Sequence, residues 1–190
     1  MPTHLAQIPR ELFQKNRKLT SVTFPSKCIT HTIGHGAFNE CSSLTYIELP
    51  EQIRSIQDRA FYRCKELKQI IFPKDLKRIG DYAFYFCGIE TLNLPDGIEY
   101  LGESAFFKCK HLIDVELPPS VKHIGKGIFH GCNRLKYLTI RHDPQYIGEG
   151  IINKAATIRC YKNSKTDKYC QENNLNVEYL EGRMPLNIWK

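Results

Sequence analysis

The 190-residue chain lacks the features by which several classes of protein are recognised. It has no run of about 18 apolar residues, so no segment is expected to span a membrane. Its first ten residues contain no apolar core of the kind found in a signal peptide. Lysine and arginine never occur five in a row although the net charge is +7, so the charge indicates solubility more than a dedicated polyanion partner.

Motifs of catalysis and metal binding are also missing. The sequence contains no G-x-S-x-G, phosphate-binding loop or H-E-x-x-H, and its cysteines include no C-x-x-C pair of the kind zinc sites use. His31 and His35 have the spacing of helical ligands, but neighbouring glycines argue against a helix. Asp114 and Glu116 would lie on a solvated sheet, which does not separate the pKa values of an acid–base pair. We therefore predict no enzyme activity, no cofactor and no metal site.

The cysteines belong instead to a repeat. Five of the eight recur at steps of 23, 23, 22 and 23 residues, and five phenylalanines recur in the same phase. Segments such as IGHGAFNEC at 33–41 and IGDYAFYFC at 79–87 contain them, and an earlier unit at 8–25 has Asn16 in the cysteine position. About six repeats result. The two columns are Cys41, Cys64, Cys87, Cys109 and Cys132, and Phe38, Phe61, Phe84, Phe106 and Phe129.

Each unit reads C-x-x-L-x-x-I-x-L-P-x-x-I-x-x-I-G-x-x-A-F-x-x-C. The L-x-x-I-x-L part ends in the alternation typical of a strand with one buried face, and the proline ends that strand. The A-F-x-x-C part suits one short helical turn. Because a single unit cannot bury its apolar side alone, we expect the units to stack as coils of a solenoid with a parallel sheet on one face.

We expect the phenylalanine and cysteine columns to fill the interior as a structural ladder. Side chains that point the same way from successive coils lie about 5 Å apart, whereas the Cβ atoms of a disulfide lie about 3.8 Å apart. The column cysteines are therefore predicted to be free, buried thiols that donate weak hydrogen bonds to backbone carbonyls. Cys160 and Cys170 lie outside the column, and a disulfide between them is left open.

The 22–23-residue spacing, with I-G-x-x-A-F-x-x-C and L-x-x-I-x-L-P, resembles the BspA-like (treponemal-type) leucine-rich-repeat family over about residues 8–180. The resemblance implies an α/β fold, a right-handed solenoid without an active site. The segment 156–180 resembles the strand–helix–strand cap that closes such arrays, which gives a leucine-rich-repeat domain at 1–180 and a tail at 181–190. The resemblance also implies a cell-surface or secreted protein that adheres to host or matrix proteins.

The outer face of the predicted sheet is the candidate binding surface. On each strand the two residues that flank the inner apolar position point outward and could contact a protein partner. Tyrosine is favoured at interfaces because it is apolar with a polar tip, although an ordinary solvated sheet face would show the same pattern. The ten candidates are Tyr46, Glu48, Gln69, Ile71, Thr91, Asn93, Asp114, Glu116, Tyr137 and Thr139.

A second surface could bind a polyanion. Stacking would align the basic residues around the cysteine turns into a stripe formed by Arg63, Lys65, Lys108, Lys110, Arg134 and Lys136. Nucleic acid is the less favoured ligand, since the neighbouring aromatic residues are expected to cover the core edge rather than to stack on bases. The predicted function is a non-catalytic protein-binding scaffold, with nucleic acid or glycan binding as the alternative. Because open solenoid ends expose strand edges, we expect a monomer or an edge-to-edge homodimer.

Overall fold

A computed structural model describes residues 5–25 and 27–182 of the chain. The predicted tail at 181–190 therefore lies outside the described residues, apart from Glu181 and Gly182. The strands, in chain order, are β1 Gln7–Ile8, β2 Ser21–Val22, β3 Thr32–Ile33, β4 Tyr46–Ile47, β5 Ser55–Ile56, β6 Arg78–Ile79, β7 Tyr100–Leu101, β8 Asp114–Leu117, β9 His123–Ile124, β10 Tyr137–Ile140, β11 Tyr146–Ile147, β12 Thr157–Cys160 and β13 Asn176–Tyr179, and the helix α1 is Lys165–Glu172.

The repeats stack as seven coils of a solenoid, each running from an x-I dipeptide through the cysteine turn to the L-x-x-I-x-L segment. The sequence revealed six of them. The seventh escapes the pattern because Ile152 and Ala155 stand where phenylalanine and cysteine would be. Coils one to seven span 7–24, 32–49, 55–72, 78–94, 100–117, 123–140 and 146–160.

The longest sheet lies at the x-I dipeptides, for which no strand was predicted from the sequence. Seven two-residue parallel strands pair in the order β1-β3-β5-β6-β7-β9-β11, with Ile33, Ile56 and Ile79 in register. Glycine follows this strand in every coil from the second to the seventh except coil three, which has Gln57 there. A Cβ at Gly125 would collide with the backbone of Gly102 in the coil before. The coils therefore approach each other closely at this corner because glycine has no side chain.

The sheet that the sequence did predict, at L-x-x-I-x-L, is present in two parts. The pair β2-β4 is continued into coil three by a bridge between Glu48 and Ile71, and β8, β10, β12 and β13 form a four-stranded sheet. Coil four is one residue shorter than its neighbours, and its segment 89–94 forms no strand. Among the described residues no backbone hydrogen bond joins 90–94 to 112–117, so the sheet is interrupted beside coil four.

The A-F-x-x-C segments are consecutive turns, and the predicted short helical turn is wrong. In coil three, Arg59 (φ 55°) and Arg63 (φ 58°) adopt the left-handed conformation. This geometry directs every second N–H out of the coil, and Arg59, Phe61 and Arg63 donate to carbonyls of coil four at 2.8–2.9 Å. A helix would satisfy its N–H groups within one coil. The turns instead leave N–H groups free to form hydrogen bonds with the next coil. Within the described residues α1 is the only helix.

The interior consists of side-chain columns that run through the stacked coils. The rings of Phe13 and the five column phenylalanines stack at centroid distances of 5.1–5.6 Å, and the five column rings are fully buried. Apolar residues of both sheets surround this stack from Ile8 to Ile158. The interior is therefore filled by packing and leaves the surface to carry any binding function.

A cap of β12, α1 and β13 closes the C-terminal end. Ser164 is the N-cap residue of α1, and its Oγ accepts from the Asp167 N–H at 3.1 Å. The buried Asp167 carboxylate accepts from the Asn163 N–H, the Gln171 amide and the Tyr179 hydroxyl. These bonds hold the helix against the last strand, which pairs in parallel with β12.

Candidate functional site

Six of the ten predicted contact residues form an open surface on coils two to four, which we call the N-terminal sheet face. All six are exposed, most of all Ile71 at 76 %, with Tyr46 at 43 %. Within the described part of the chain none of the six makes a side-chain hydrogen bond or an ion pair. The surface consists of Tyr46, Glu48, Gln69, Ile71, Thr91 and Asn93.

The other four predicted residues, Asp114, Glu116, Tyr137 and Thr139, form a C-terminal sheet face on which both carboxylates and the Tyr137 ring already contact arginine side chains. Arg141 pairs with Glu116 at 2.8 Å. Arg159 pairs with Glu178 at 2.9 Å, lies 3.8 Å from Asp114, and places its guanidinium carbon 3.5 Å from the centroid of the Tyr137 ring. A partner that bound here would have to displace these contacts.

The prediction that Thr139 points to solvent is wrong. Thr139 lies between Glu116 and Arg159 in the register of the four-stranded sheet, and only 3 % of it is exposed. The two longer neighbours, each held in an ion pair, close over the short threonine side chain. Alternation along one strand could not show this, because the covering side chains come from the strands on either side.

A groove of about 420 Å³ separates the two sheet faces. It opens where coil four fails to pair with coil five. One wall is the irregular segment of coil four, and the other is β8 with the two prolines after it. The groove is lined by Thr91, Leu92, Asn93, Leu94, Asp96, Asp114, Glu116, Leu117, Pro118 and Pro119. The feature of the sequence that indicates this groove is the spacing of 22 residues from Cys87 to Cys109, where the other column cysteines are 23 apart.

The column cysteines are buried and free. Each thiol donates to the carbonyl of a phenylalanine in the preceding coil, for example Cys64 to Phe38 at 3.1 Å. The other four donate at 3.0–3.2 Å. Burial raises the pKa of Cys41 to about 11 and that of Cys132 to about 12. Burial also raises the pKa values of the three thiols between them well above the ordinary value. Because the thiolate is the nucleophile and the metal ligand, these groups are suited to packing and not to chemistry.

Cys160 and Cys170 lie together in the C-terminal cap, where both are free and buried. A hydrogen bond from Cys170 lowers the pKa of Cys160, and the same bond raises the pKa of Cys170. No group of three or more histidine, cysteine or acidic side chains in residues 5–25 and 27–182 could hold a metal ion.

Two aromatic stacks on the outside of the solenoid add to the surface. Tyr62, Tyr85, Phe107 and His130 stack at 4.7–5.6 Å beside the cysteine turns. A second stack, which the sequence analysis missed, joins the rings of Tyr100, His123 and Tyr146 at 4.3 and 4.5 Å. Their recurrence at the repeat spacing was the available signal, because it places each ring on the next coil in register.

Comparison with known proteins places this geometry in a family. The sequence profile described as "BspA type Leucine rich repeat region" matches residues 31–159 in six copies, and no curated protein matches the chain. No helix among the described residues is both long and apolar enough to cross a membrane.

Solved structures share the fold. A leucine-rich repeat protein from Bacteroides ovatus is 31 % identical with a TM-score of 0.69; the match covers 92 % of this chain but only 41 % of that one. The T. pallidum leucine-rich repeat protein is 27 % identical with a TM-score of 0.70, over 94 % of this chain and 83 % of that one. The pneumococcal vaccine antigen PcpA, 17 % identical over 96 % of this chain and 67 % of its own, has a TM-score of 0.54 and shows likeness of fold alone. On its repeats and its fold, the chain belongs to the BspA-type leucine-rich-repeat family.

Proposed function

We propose that this chain is a protein-binding scaffold and that the partner binds the N-terminal sheet face. Leucine-rich-repeat scaffolds of this kind are commonly protein-interaction modules and are generally non-catalytic. The observation that carries the proposal is Ile71, a β-branched apolar side chain that is 76 % exposed on the N-terminal sheet face, whose six side chains form no ion pair within the described residues.

The chemistry of the N-terminal sheet face suits a protein surface. Tyr46 and Ile71 offer apolar area, while Gln69 and Asn93 can donate and accept hydrogen bonds. Glu48 is the one charged residue among the six, so little charge must be desolvated when a partner covers the face. Interface cores are depleted in charged residues and enriched in aromatic ones in the same way.

The C-terminal sheet face is less suited to this role. Its carboxylates already pair with Arg141 and Arg159. Burying these ion pairs under a partner would remove them from water, and their mutual attraction only partly offsets that loss. The partner is therefore proposed to contact coils two to four and to reach the groove beside coil four, but not to extend across Tyr137.

Adhesion to a host or matrix protein at the cell surface is the finer form of this proposal. Its support is the family resemblance. The absence of catalysis is proposed on the raised pKa values of the buried thiols and on the ion-paired carboxylates of the C-terminal sheet face.

The proposal is tested by identifying the partner through a photo-reactive amino acid at position 71, with position 154 as the control site, followed by affinity measurements on the purified pair. The double variant Tyr46→Ser/Ile71→Ser should weaken binding about tenfold or more, because buried apolar anchors dominate interface energy. The matched variant Ile29→Ser/Tyr146→Ser removes the same residue types at exposures of 49 % and 50 %. Equal affinities for both double variants would remove the sheet face as the binding surface.

A further inference from the structure

We infer that a second binding site lies at the cysteine turn of coil four, a cationic notch that takes the carboxylates of an acidic peptide segment. The notch is formed by Lys65, Phe86, Gly88, Lys108 and Lys110 and has a volume of about 180 Å³. This inference rests on the proposed function only in that the ligand is taken to be part of a protein. The notch itself lies apart from the N-terminal sheet face.

The notch exists because coil four is one residue short. Coils three and five have two residues between cysteine and leucine, Lys65-Glu66 and Lys110-His111, whereas coil four has only Gly88. A Cβ at Gly88 would collide with the carbonyl oxygen of Lys65, so the backbone of coil four packs directly against coil three. The rim of the solenoid therefore dips at coil four between two coils that carry long side chains.

Positive charge converges on this dip from both sides. The ammonium groups of Lys65 and Lys110 lie 5.4 and 5.3 Å from the centroid of the same Phe86 ring. Lys108 adds a third cation on the rim, and Arg63 lies beside Lys65. In the described part of the chain none of these four cations has a carboxylate within ion-pair distance. Like charges gathered without a counterion leave the site favourable to an anion.

The shape of the notch favours a carboxylate side chain. Phe86, Cys87 and Gly88 line it together with three lysines and His111. A glutamate or aspartate side chain is complementary to this lining, because its methylene groups can contact the Phe86 ring while its carboxylate reaches the lysine ammonium groups. Lysine acts on it as a point charge and does not demand the fixed two-pronged geometry that arginine imposes.

The neighbouring aromatic residues argue against nucleic acid as the ligand. Single strands bind by stacking bases on exposed aromatic faces. In Tyr62, Tyr85 and Phe107 these faces are occupied by one another, at centroid distances of 4.7 and 5.0 Å. Arg63 and Lys108 also lie beside Tyr62 and Phe107, each at 5.3 Å. The stack therefore offers mainly ring edges, which do not serve as stacking platforms.

The test uses a fluorescein-labelled poly-glutamate peptide and measures its affinity by anisotropy at low salt. The double variant Lys65→Gln/Lys110→Gln should weaken binding about five- to tenfold, the sum of two exposed charge interactions. Its matched control, Lys154→Gln/Lys162→Gln, removes the same charge from exposed lysines outside the notch and should change the affinity by less than about twofold. Equal losses in both double variants would mean diffuse attraction to a basic protein and would overturn the site.

A second variant separates the notch from its charges. Insertion of one serine after Gly88 restores the 23-residue step and fills the dip while it keeps every lysine. The insertion should also weaken poly-glutamate binding, with a thermal melt to establish that the protein is folded. Unchanged affinity in the folded insertion variant would show that the notch is unnecessary. If the insertion prevents folding, the lysine double variant decides.

Two further arms identify the class of ligand and separate this inference from the proposed function. A sulfated oligosaccharide or a single-stranded oligonucleotide should bind less tightly than poly-glutamate. Tighter binding of either one, lost in Lys65→Gln/Lys110→Gln, would replace the acidic peptide by that polyanion. The variant Tyr46→Ser/Ile71→Ser should keep its affinity for poly-glutamate, so each of the two sites can fail without the other.

Discussion

Each column cysteine ties its coil to the coil before it. The Cys87 thiol, for example, donates to the Phe61 carbonyl at 3.0 Å from a fully apolar setting. An alcohol or amide in this position would also donate, and Asn16 occupies the equivalent position in coil one. There its Oδ1 accepts from the Lys18 N–H at 3.1 Å, so the side chain supports its own turn instead.

The buried thiols predict a loss of stability in alkaline solution. Burial raises their pKa values in the folded chain, to about 11 for Cys41 and about 12 for Cys132, whereas an unfolded chain has thiol pKa values of about 8.5. The unfolded chain therefore releases protons first, and stability that is complete below about pH 8.5 declines as the pH rises toward the folded values. Each thiol contributes a slope of about 1.4 kcal/mol per pH unit.

Urea unfolding between pH 8 and pH 10 measures this decline. The variant Cys87→Ala removes one titrating thiol, so above about pH 8.5 its free energy of unfolding should fall less steeply with pH than that of the natural chain, by up to about 1.4 kcal/mol per pH unit. Parallel pH profiles for the two proteins would mean that Cys87 titrates alike in the folded and unfolded states.

The phenylalanine stack predicts a large cost for removing one ring. Phe84 is fully buried between Phe61 and Phe106, at centroid distances of 5.1 and 5.3 Å. Phe84→Ala should lower the free energy of unfolding by about 3–5 kcal/mol, because neighbouring coils cannot close the cavity without losing register. The half-buried Phe107 belongs to the outer stack, and Phe107→Ala should cost clearly less in the same urea titration. Equal costs would contradict the interior position of Phe84.

The turns of the A-F-x-x-C segments depend on left-handed backbone that only some residues adopt readily. Coils two, six and seven have Gly36, Gly127 and Gly150 at the first such position, with φ of 58°, 61° and 61°. Coil three has Arg59 there at φ 55°. Residues with a Cβ are strained in this region, so glycine is the residue that the turn favours.

Arg59→Gly should therefore stabilise the protein by about 0.5–1 kcal/mol. This is the backbone strain relieved at position 59 minus the entropy lost when a more flexible glycine is ordered on folding. Arg59→Val should destabilise it by about 1 kcal/mol or more, because a β-branched residue is an outlier at positive φ. As a control, Arg54→Gly, at an exposed position without positive φ, should destabilise. Thermal melts that rank the two glycine variants alike would contradict the turn geometry.

The sequence predicted the periodic parts of these elements and missed the parts that depend on neighbours. The 22–23-residue step was enough to place Phe84 and Cys87 in the interior, since every coil repeats the same contact. The two-residue strands such as β5 were too short to show alternation. Thr139 was misplaced because the side chains that cover it, Glu116 and Arg159, lie on other strands.

The missing residue in coil four produces a depression on each of two sides of the solenoid. On the sheet side it leaves the groove beside Thr91, and at the cysteine turns it leaves the notch above Phe86. The one-residue deletion was visible in the sequence, but its effect on both surfaces follows only from the stacking. Both proposed binding surfaces therefore include coil four, which the insertion after Gly88 would alter most.

The two ends of the solenoid differ. Within the described residues, β1 and β2 at the N-terminal end and β11 and β13 at the C-terminal end each pair on one side only, and the C-terminal end also carries α1. Edge-to-edge homodimerisation stays a prediction, because strands that pair on one side only are where a second chain can add.

Stacking of the coils in register is tested most directly by the reactivity of the eight cysteines toward Ellman's reagent. All eight are buried and free in the structure, so the native protein should show no thiol that reacts on mixing, and the denatured protein should titrate eight. A column thiol that reacts in the native protein as fast as a small free thiol, or fewer than eight thiols after denaturation without reductant, would contradict the stacked ladder.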